Sequence, residues 1–474
     1  MPPALVNTLS STRSSFRERI STPLSPVESV GLFLLGAYLF ITFSRILDVT
    51  FYYLKIPIII FVLFNFTVLL SGHVFRLFQS RAGIALTLYT GWMFITALLG
   101  QWRTGSIDSL NTAAFSWCMA IACVALVSAP GKLLTMQRVL AFASLTGAIL
   151  GRFYGGDTGG RLTLFQGSFS DPNEYAVTLL MGLPYWIMIA RTAQKKIWRT
   201  LAYLCTVPIL LTFLYTGSRG GMIALLVLTA VSLVQMSFSQ KVAFCVASVL
   251  MFMLSGVLLP HYIQQRFFTF FKADVDTTLD AKYQEQLSGG DIGSSEARWQ
   301  LVLGAIQLTL KYPVFGVGPG NFPVAYWSDA KAQGKHAGWN ASHNSYTQAS
   351  SEMGFPGFFV FVAMLYYSFR VTRRVLRIKP TAEYQPPPEL VHGARYLELS
   401  LLVVCSGAAF LSMAYHPVFY VAVALAATLD RLLQEDIKQW RQYRQAQPAL
   451  QPTVTPARMP AARLPRLGSA MRRS

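Results

Sequence analysis

The sequence predicts an all-α, polytopic membrane protein with about twelve transmembrane helices and a large extracytoplasmic loop carrying amphipathic helices. Three observations predict it. Hydrophobic residues make up 53% of the chain and charged residues 13%, a balance foreign to a soluble globule. The apolar residues fall in blocks of about 18–20, the length a helix needs to cross a hydrocarbon core roughly 30 Å thick. The basic residues cluster between those blocks on what becomes one face. The spans must be helices, because lipid offers no partner to an unpaired backbone group. The residue-by-residue alternation of a membrane barrel is absent.

Residues 1–28 form a polar, cytoplasmic N-terminal segment with Arg13, Arg17 and Arg19. It lacks the apolar core and small-residue cleavage site of a signal peptide, so the first span is expected to act as an uncleaved anchor. Residues 29–260 hold nine spans, centred near residues 38, 62, 92, 120, 142, 182, 207, 228 and 250. Residues 261–353 form the large outward loop. Residues 354–432 hold three more spans, centred near 363, 405 and 423. Residues 433–474 form a basic cytoplasmic tail whose Pro-, Ala- and Arg-rich end is expected to be disordered.

Charge orients these spans. Arg191, Lys195, Lys196 and Arg199 follow the sixth span, and Arg370, Arg373, Arg374, Arg377 and Lys379 follow the tenth. With an even number of spans both clusters share a face with the two termini, and the positive-inside rule makes that face cytoplasmic. The net charge of +19 is therefore topological. It forms no aromatic-interleaved patch, and nucleic acid is not an expected partner. The five cysteines, Cys118, Cys123, Cys205, Cys245 and Cys405, all lie in apolar spans without metal-ligand spacing and read as small buried hydrophobes.

The candidate chemistry lies on the outward face, where arginines run against the charge bias. One loop there holds Arg152, Arg161, Gln166, Asp171, Asn173 and Glu174. A turn, Gly217-Ser218-Arg219-Gly220-Gly221, leads directly into a span. Its glycines permit close backbone approach, the helix start favours phosphate oxygens, and the Arg219 guanidinium can bind two oxygens at once. In the large loop, Ser294-Ser295-Glu296 offers a helix cap, and Trp299, Val302, Leu303, Ile306 and Leu310 recur at helical spacing. This reads as an amphipathic helix on the membrane boundary, stopped at Lys311-Tyr312-Pro313 and followed by the turn Gly316-Val317-Gly318-Pro319-Gly320-Asn321. Arg298 in its first turn is placed to hold the same anion, or to pair with Glu296 or Asp291. His343 precedes a helix of small residues, with Thr347, Ser350 and Gly354 on one face, and can accept a proton near neutral pH. Of the other histidines, His73 and His392 map to the cytoplasmic side and His261, His336 and His416 outward, with no metal-ligand spacing among them. No nucleotide motif occurs, and neither a metal nor a cofactor is expected.

His343-Asn344, nine further residues, then Gly354 and Gly357 match a pattern of the O-antigen ligase and O-antigen polymerase superfamily of bacterial envelope enzymes. The chain resembles that superfamily also in the turn at Gly217–Gly221, in Glu296–Trp299 through Gly316–Phe322, and in Asp171-Pro172-Asn173-Glu174. The resemblance covers roughly residues 150–430. It implies a multi-pass protein of the bacterial inner membrane with a periplasmic site. There, a glycan would pass from an undecaprenyl-diphosphate carrier to a glycan or lipid A-core acceptor, without a metal and with inversion. His343, Arg219 and Arg298 would be catalytic. Arg161, Arg152, Asp171, Asn173, Ser218, Gly220, Asn344 and Tyr346 would bind substrate. The alternative class is a multipass transporter or flippase of lipid-linked sugars, which would be expected to set its charges along a cavity within the spans.

Overall fold

The computed structural model describes residues 25–50, 54–157, 160–164, 170–268, 293–334, 338–379 and 384–446. Most of the N-terminal segment, Gln166, Asp291, His336 and the end of the tail lie outside the described residues, as do the side chains of the expected cap at Ser294–Glu296.

The chain is built of helices: α1 Pro26–Ser44, α2 Ile46–Thr50, α3 Ile56–Ser71, α4 Arg81–Ala97, α5 Arg103–Leu126 and α6 Pro130–Tyr154. A two-stranded hairpin follows, β1 Gly156–Asp157 and β2 Leu162–Thr163. Then come α7 Pro172–Thr192, α8 Lys196–Leu204, α9 Thr206–Tyr215, α10 Arg219–Gln235, α11 Phe238–Leu258 and α12 His261–Phe268. The remainder is α13 Gly293–Lys311, α14 Phe322–Ala332, α15 Ser345–Leu376, α16 Pro388–Ala408 and α17 Pro417–Gln445. Each of the expected span centres falls inside a helix. Among the described residues seven stretches are long and apolar enough to cross a membrane, α8 and α9 counting as one; α3 and α10 are shorter apolar helices, and α4, α7 and α16 hold the other centres.

Burial separates the helices by role. Every residue from Val418 to Leu433 in α17 is buried, so this helix is enclosed on all sides. By contrast, α11 buries none of its residues. Its exposed Val242, Val246, Leu250 and Met253 suit contact with lipid tails. Cys245 lies on this helix and is exposed, and among the five free cysteines only Cys123 is buried. The expectation of buried cysteines therefore fails for the others: spans without protein neighbours on every side leave them outward. Residues from Asp436 onward belong to a separate unit, in which Trp440 stacks on Tyr443 with centroids 6.1 Å apart.

A kink in α15 joins the large loop to the bundle. Gly354 has φ +67, and Pro356 has no N–H to give to the Glu352 carbonyl one turn back. The loop supplies the missing bonds. The Val317 N–H donates to the Ser351 carbonyl at 2.9 Å, and the Gly318 N–H to the Glu352 carbonyl at 2.9 Å. In return, the Phe355 N–H donates to the Pro313 carbonyl at 2.8 Å. Gly316 and Gly318 also have positive φ, and a side chain on Gly316 would run into the backbone of Glu352. The sequence Gly316–Gly320 is thus shaped to the surface of the kink.

The helix α13 is present, and beside the expected stripe it carries a second apolar face that packs on the protein. Leu301, Ala305 and Leu308 pack with Val317, Phe322 and Ala325 into a small core. Trp299, Ile306 and Leu310, on the expected stripe, are exposed. Spacing alone could not rank the two apolar faces. The residues that met α14 after the Gly316–Asn321 turn became the core.

Candidate functional site

Three segments distant in sequence meet at one end of the bundle. The first is the loop between α6 and α7. Its hairpin closes through the Gly160 N–H, which donates to Asp157 Oδ1 at 2.5 Å, and places Arg161 at the start of β2. Asp171 caps α7, accepting from the N–H groups of Asn173 at 2.6 Å and Glu174 at 3.3 Å.

The second is the turn into α10. Gly217 takes φ +57, and Ser218 caps the helix by accepting from the Gly221 N–H at 3.1 Å. The Ser218 hydroxyl donates to Asn173 Oδ1 at 2.9 Å, and Arg161 Nη2 donates to the same oxygen at 2.7 Å. Arg161 Nε also donates to the Thr216 carbonyl at 2.9 Å. Asn173 is therefore the joint between the two segments. Arg219 opens α10 directly beside it.

Arg266 is a further arginine here, and sequence reasoning missed it. From α12 its Nε donates to the Gly217 carbonyl at 2.9 Å. A Cβ on Gly217 would lie 2.9 Å from the Arg266 Cδ, so glycine admits the arginine as well as the turn. The only signal in the sequence is one more arginine on the outward side, in a segment without a motif.

The third segment is the approach to α15. Asn344 caps this helix, accepting from the N–H groups of Tyr346 at 2.9 Å and Thr347 at 3.0 Å. Its Nδ2 donates to the Ala409 carbonyl at 3.0 Å, and the Tyr346 hydroxyl to the Cys405 carbonyl at 2.9 Å. His343 has φ +49, a left-handed conformation, and its N–H donates to the Ser412 Oγ at 2.8 Å. The connection between α16 and α17, residues 409–416, thus holds the histidine.

The same connection reaches the turn that carries Arg219. A Cβ on Gly220 would meet Phe410 at 2.8 Å, two residues before Ser412. Arg219 and His343 accordingly lie at one end of the bundle. Electrostatics link the rest. Burial lowers the His343 pKa below its usual value, Arg298 lowers it further, and Asp171 opposes the change. His343 is then neutral near pH 7 and able to accept a proton.

Arg152 contacts the residue before Thr216, whose carbonyl Arg161 holds. Its guanidinium lies over the Tyr215 ring, 4.2 Å from the centroid. Among the described residues no group of three or more His, Cys, Asp or Glu could hold a metal ion.

Residues 204–362 match the O-antigen ligase family. The matched stretch is about a third of the chain and is similar to that family. The match agrees with the resemblance to the O-antigen ligase and polymerase superfamily carried by the sequence motifs. The matched region includes Arg219, Arg266, Arg298 and His343; Arg161 and Asn173 lie before it and are joined to it through Thr216 and Ser218. No curated protein matches the chain.

Proposed function

We propose that this protein transfers a glycan from an undecaprenyl-diphosphate carrier to a sugar or lipid A-core hydroxyl at the periplasmic face, in a bilayer crossed about twelve times. The carrying observation is the meeting of Arg161, Arg219 and Arg266 around the Asn173–Ser218 joint, on the same end as a neutral His343. A lipid-linked diphosphate needs cations at the membrane boundary, and a weak nucleophile needs a base.

In the proposed reaction the acceptor hydroxyl attacks the anomeric carbon and gives its proton to His343. The bond from that carbon to the diphosphate oxygen breaks, and the oxygen leaves with the electron pair. Arg219 and Arg298 stabilise the growing negative charge, each charge-assisted hydrogen bond contributing about 1.5–3 kcal/mol. One displacement inverts the anomeric centre. The diphosphate supplies the driving energy, so nucleoside triphosphate is not required.

The test is purified full-length protein incubated with lipid-diphosphate glycan, with and without lipid A-core. A ladder of products identifies a polymerase, and a single shift of lipid A-core identifies a ligase. Movement of intact donor across a vesicle bilayer, with no new glycosidic bond, would replace this reading with the transporter.

A further inference from the structure

One buried ionisable group takes no part in the proposed reaction. The Glu352 side chain is 2% exposed, on the turn of α15 just before the Gly354 kink. Its Oε2 accepts from the Gly320 N–H at 3.0 Å and from the Tyr415 hydroxyl, and its Oε1 accepts from the Phe322 N–H at 3.3 Å. The Gly320 N–H also lies 3.1 Å from the Tyr415 Oη. One carboxylate therefore joins α15, the Gly316–Asn321 turn and the 409–416 connection.

Each partner leads to a different part of the site. The Gly316–Asn321 turn ends α13, the helix of Arg298, and packs with it through Leu301, Ala305, Leu308, Val317 and Phe322. A bond between the hydroxyls of Thr309 and Ser350, 2.8 Å long, holds α13 to α15. On the other side, Tyr415 belongs to the connection whose Ser412 holds the His343 N–H and whose Ala414 N–H donates to Gln348 Oε1 at 3.0 Å.

We propose that Glu352 is a positioning residue that clasps the Arg298-bearing helix against the connection holding His343, through the Gly320 and Phe322 amides and the Tyr415 hydroxyl. A carboxylate suits the task because it accepts from several donors at once, and its burial removes competing water. A residue spaced only to fill the core would not need two backbone amides and a phenol.

The proposal rests on the reading of Arg298 and His343 given above, and its test has an arm independent of turnover. Diethyl pyrocarbonate acylates neutral imidazole, so its rate of modification at His343 against pH, read by peptide mass spectrometry, gives the histidine's titration. The full-length protein in detergent is compared with Arg298→Gln, Glu352→Gln and Tyr415→Phe. Arg298→Gln raises the midpoint, because it removes a positive neighbour while Asp171 stays. Glu352→Gln and Tyr415→Phe are expected to raise it in the same direction, and to lower kcat roughly ten- to hundredfold by misplacing Arg298.

A wild-type midpoint in both clasp variants, measured on protein that elutes as a single species, overturns the proposal. Tyr415→Phe keeps the test open if the charge-removing variant fails to fold. If the wild-type protein transfers no glycan, the function reading falls, while the titration arm still decides the clasp.

Discussion

His343 holds a left-handed backbone conformation that costs a non-glycine residue about 1–3 kcal/mol. The Ser412 hydroxyl and the Asn344 cap hold it there. Replacing His343 with Ala is expected to lower transfer by about 10²–10⁴-fold, while the protein still inserts and purifies normally. Because burial and Arg298 lower its pKa, the base is active when deprotonated, and activity falls as the pH drops through a midpoint below 6.5. A kcat profile measured where thermal unfolding is unchanged checks this. The control matters because His416, whose pKa burial pushes down to about 3, also disfavours acid in the folded state. Its unfolded form protonates first, so stability declines as pH falls from about 6.5 toward that lower value. Arg219→Lys replaces a planar fork by a point charge and is expected to cost roughly tenfold or more in kcat. Donor turnover at wild-type rate in that variant would remove Arg219 from diphosphate binding. Asn173→Ala leaves Arg161 and Ser218 without their shared acceptor, and is expected to cost about 1–3 kcal/mol of stability with a matching loss of donor affinity.

At the scale of elements, the kink in α15 does two things. It breaks the helix ladder at Gly354 and Pro356, and it offers the freed carbonyls of Ser351 and Glu352 to the large loop. Gly354→Ala places a Cβ against the Pro313 and Val314 carbonyls at positive φ. It is expected to lower the unfolding temperature in detergent and to loosen α13 together with the loop, as hydrogen exchange on residues 297–322 would report. Exchange unchanged there would mean the loop is held elsewhere. At the other end of the bundle, arginines terminate helices. Arg76 Nη1 donates to the Ala125 carbonyl at 2.9 Å, and Arg431 Nη2 to the Val127 carbonyl at 2.5 Å. The Arg431 side chain is 1% exposed and also grips Glu435 at 2.7 Å. These cations lie where the helix dipole of α5 is negative.

For the molecule as a whole, the proposed orientation sets the site on one side of the bilayer and the basic clusters on the other. Cysteines introduced at Lys195 and Arg377 are expected to react with an impermeant maleimide only from the cytoplasm, and one introduced at Trp339 only from the periplasm. Labelling of all three from one side would overturn both the orientation and the span count. Helix α15 runs from the capped His343 end to Arg373 and Arg374, which pair with Glu398 at 3.1 Å and Asp430 at 3.5 Å.

The helical character was legible in the sequence, because lipid imposes one hydrogen-bond pattern on whatever crosses it, and each expected centre lies in a helix, although only seven stretches among the described residues are long and apolar enough to cross a membrane. Arg219, Asn173, Arg298 and His343 stood out because polar groups at a membrane boundary are costly and few. That these groups serve one ligand was an expectation of the sequence; the contacts that join their segments were not legible. They run through the 409–416 connection, through Asn173 serving two partners, and through Arg266 entering beside Gly217, and contacts between segments so far apart leave no periodic trace. Nor could spacing tell which apolar face of α13 would be covered, or that Glu352 would join three segments. Local rules determine which stretches become helices; only the packing of those helices decides which side chains meet.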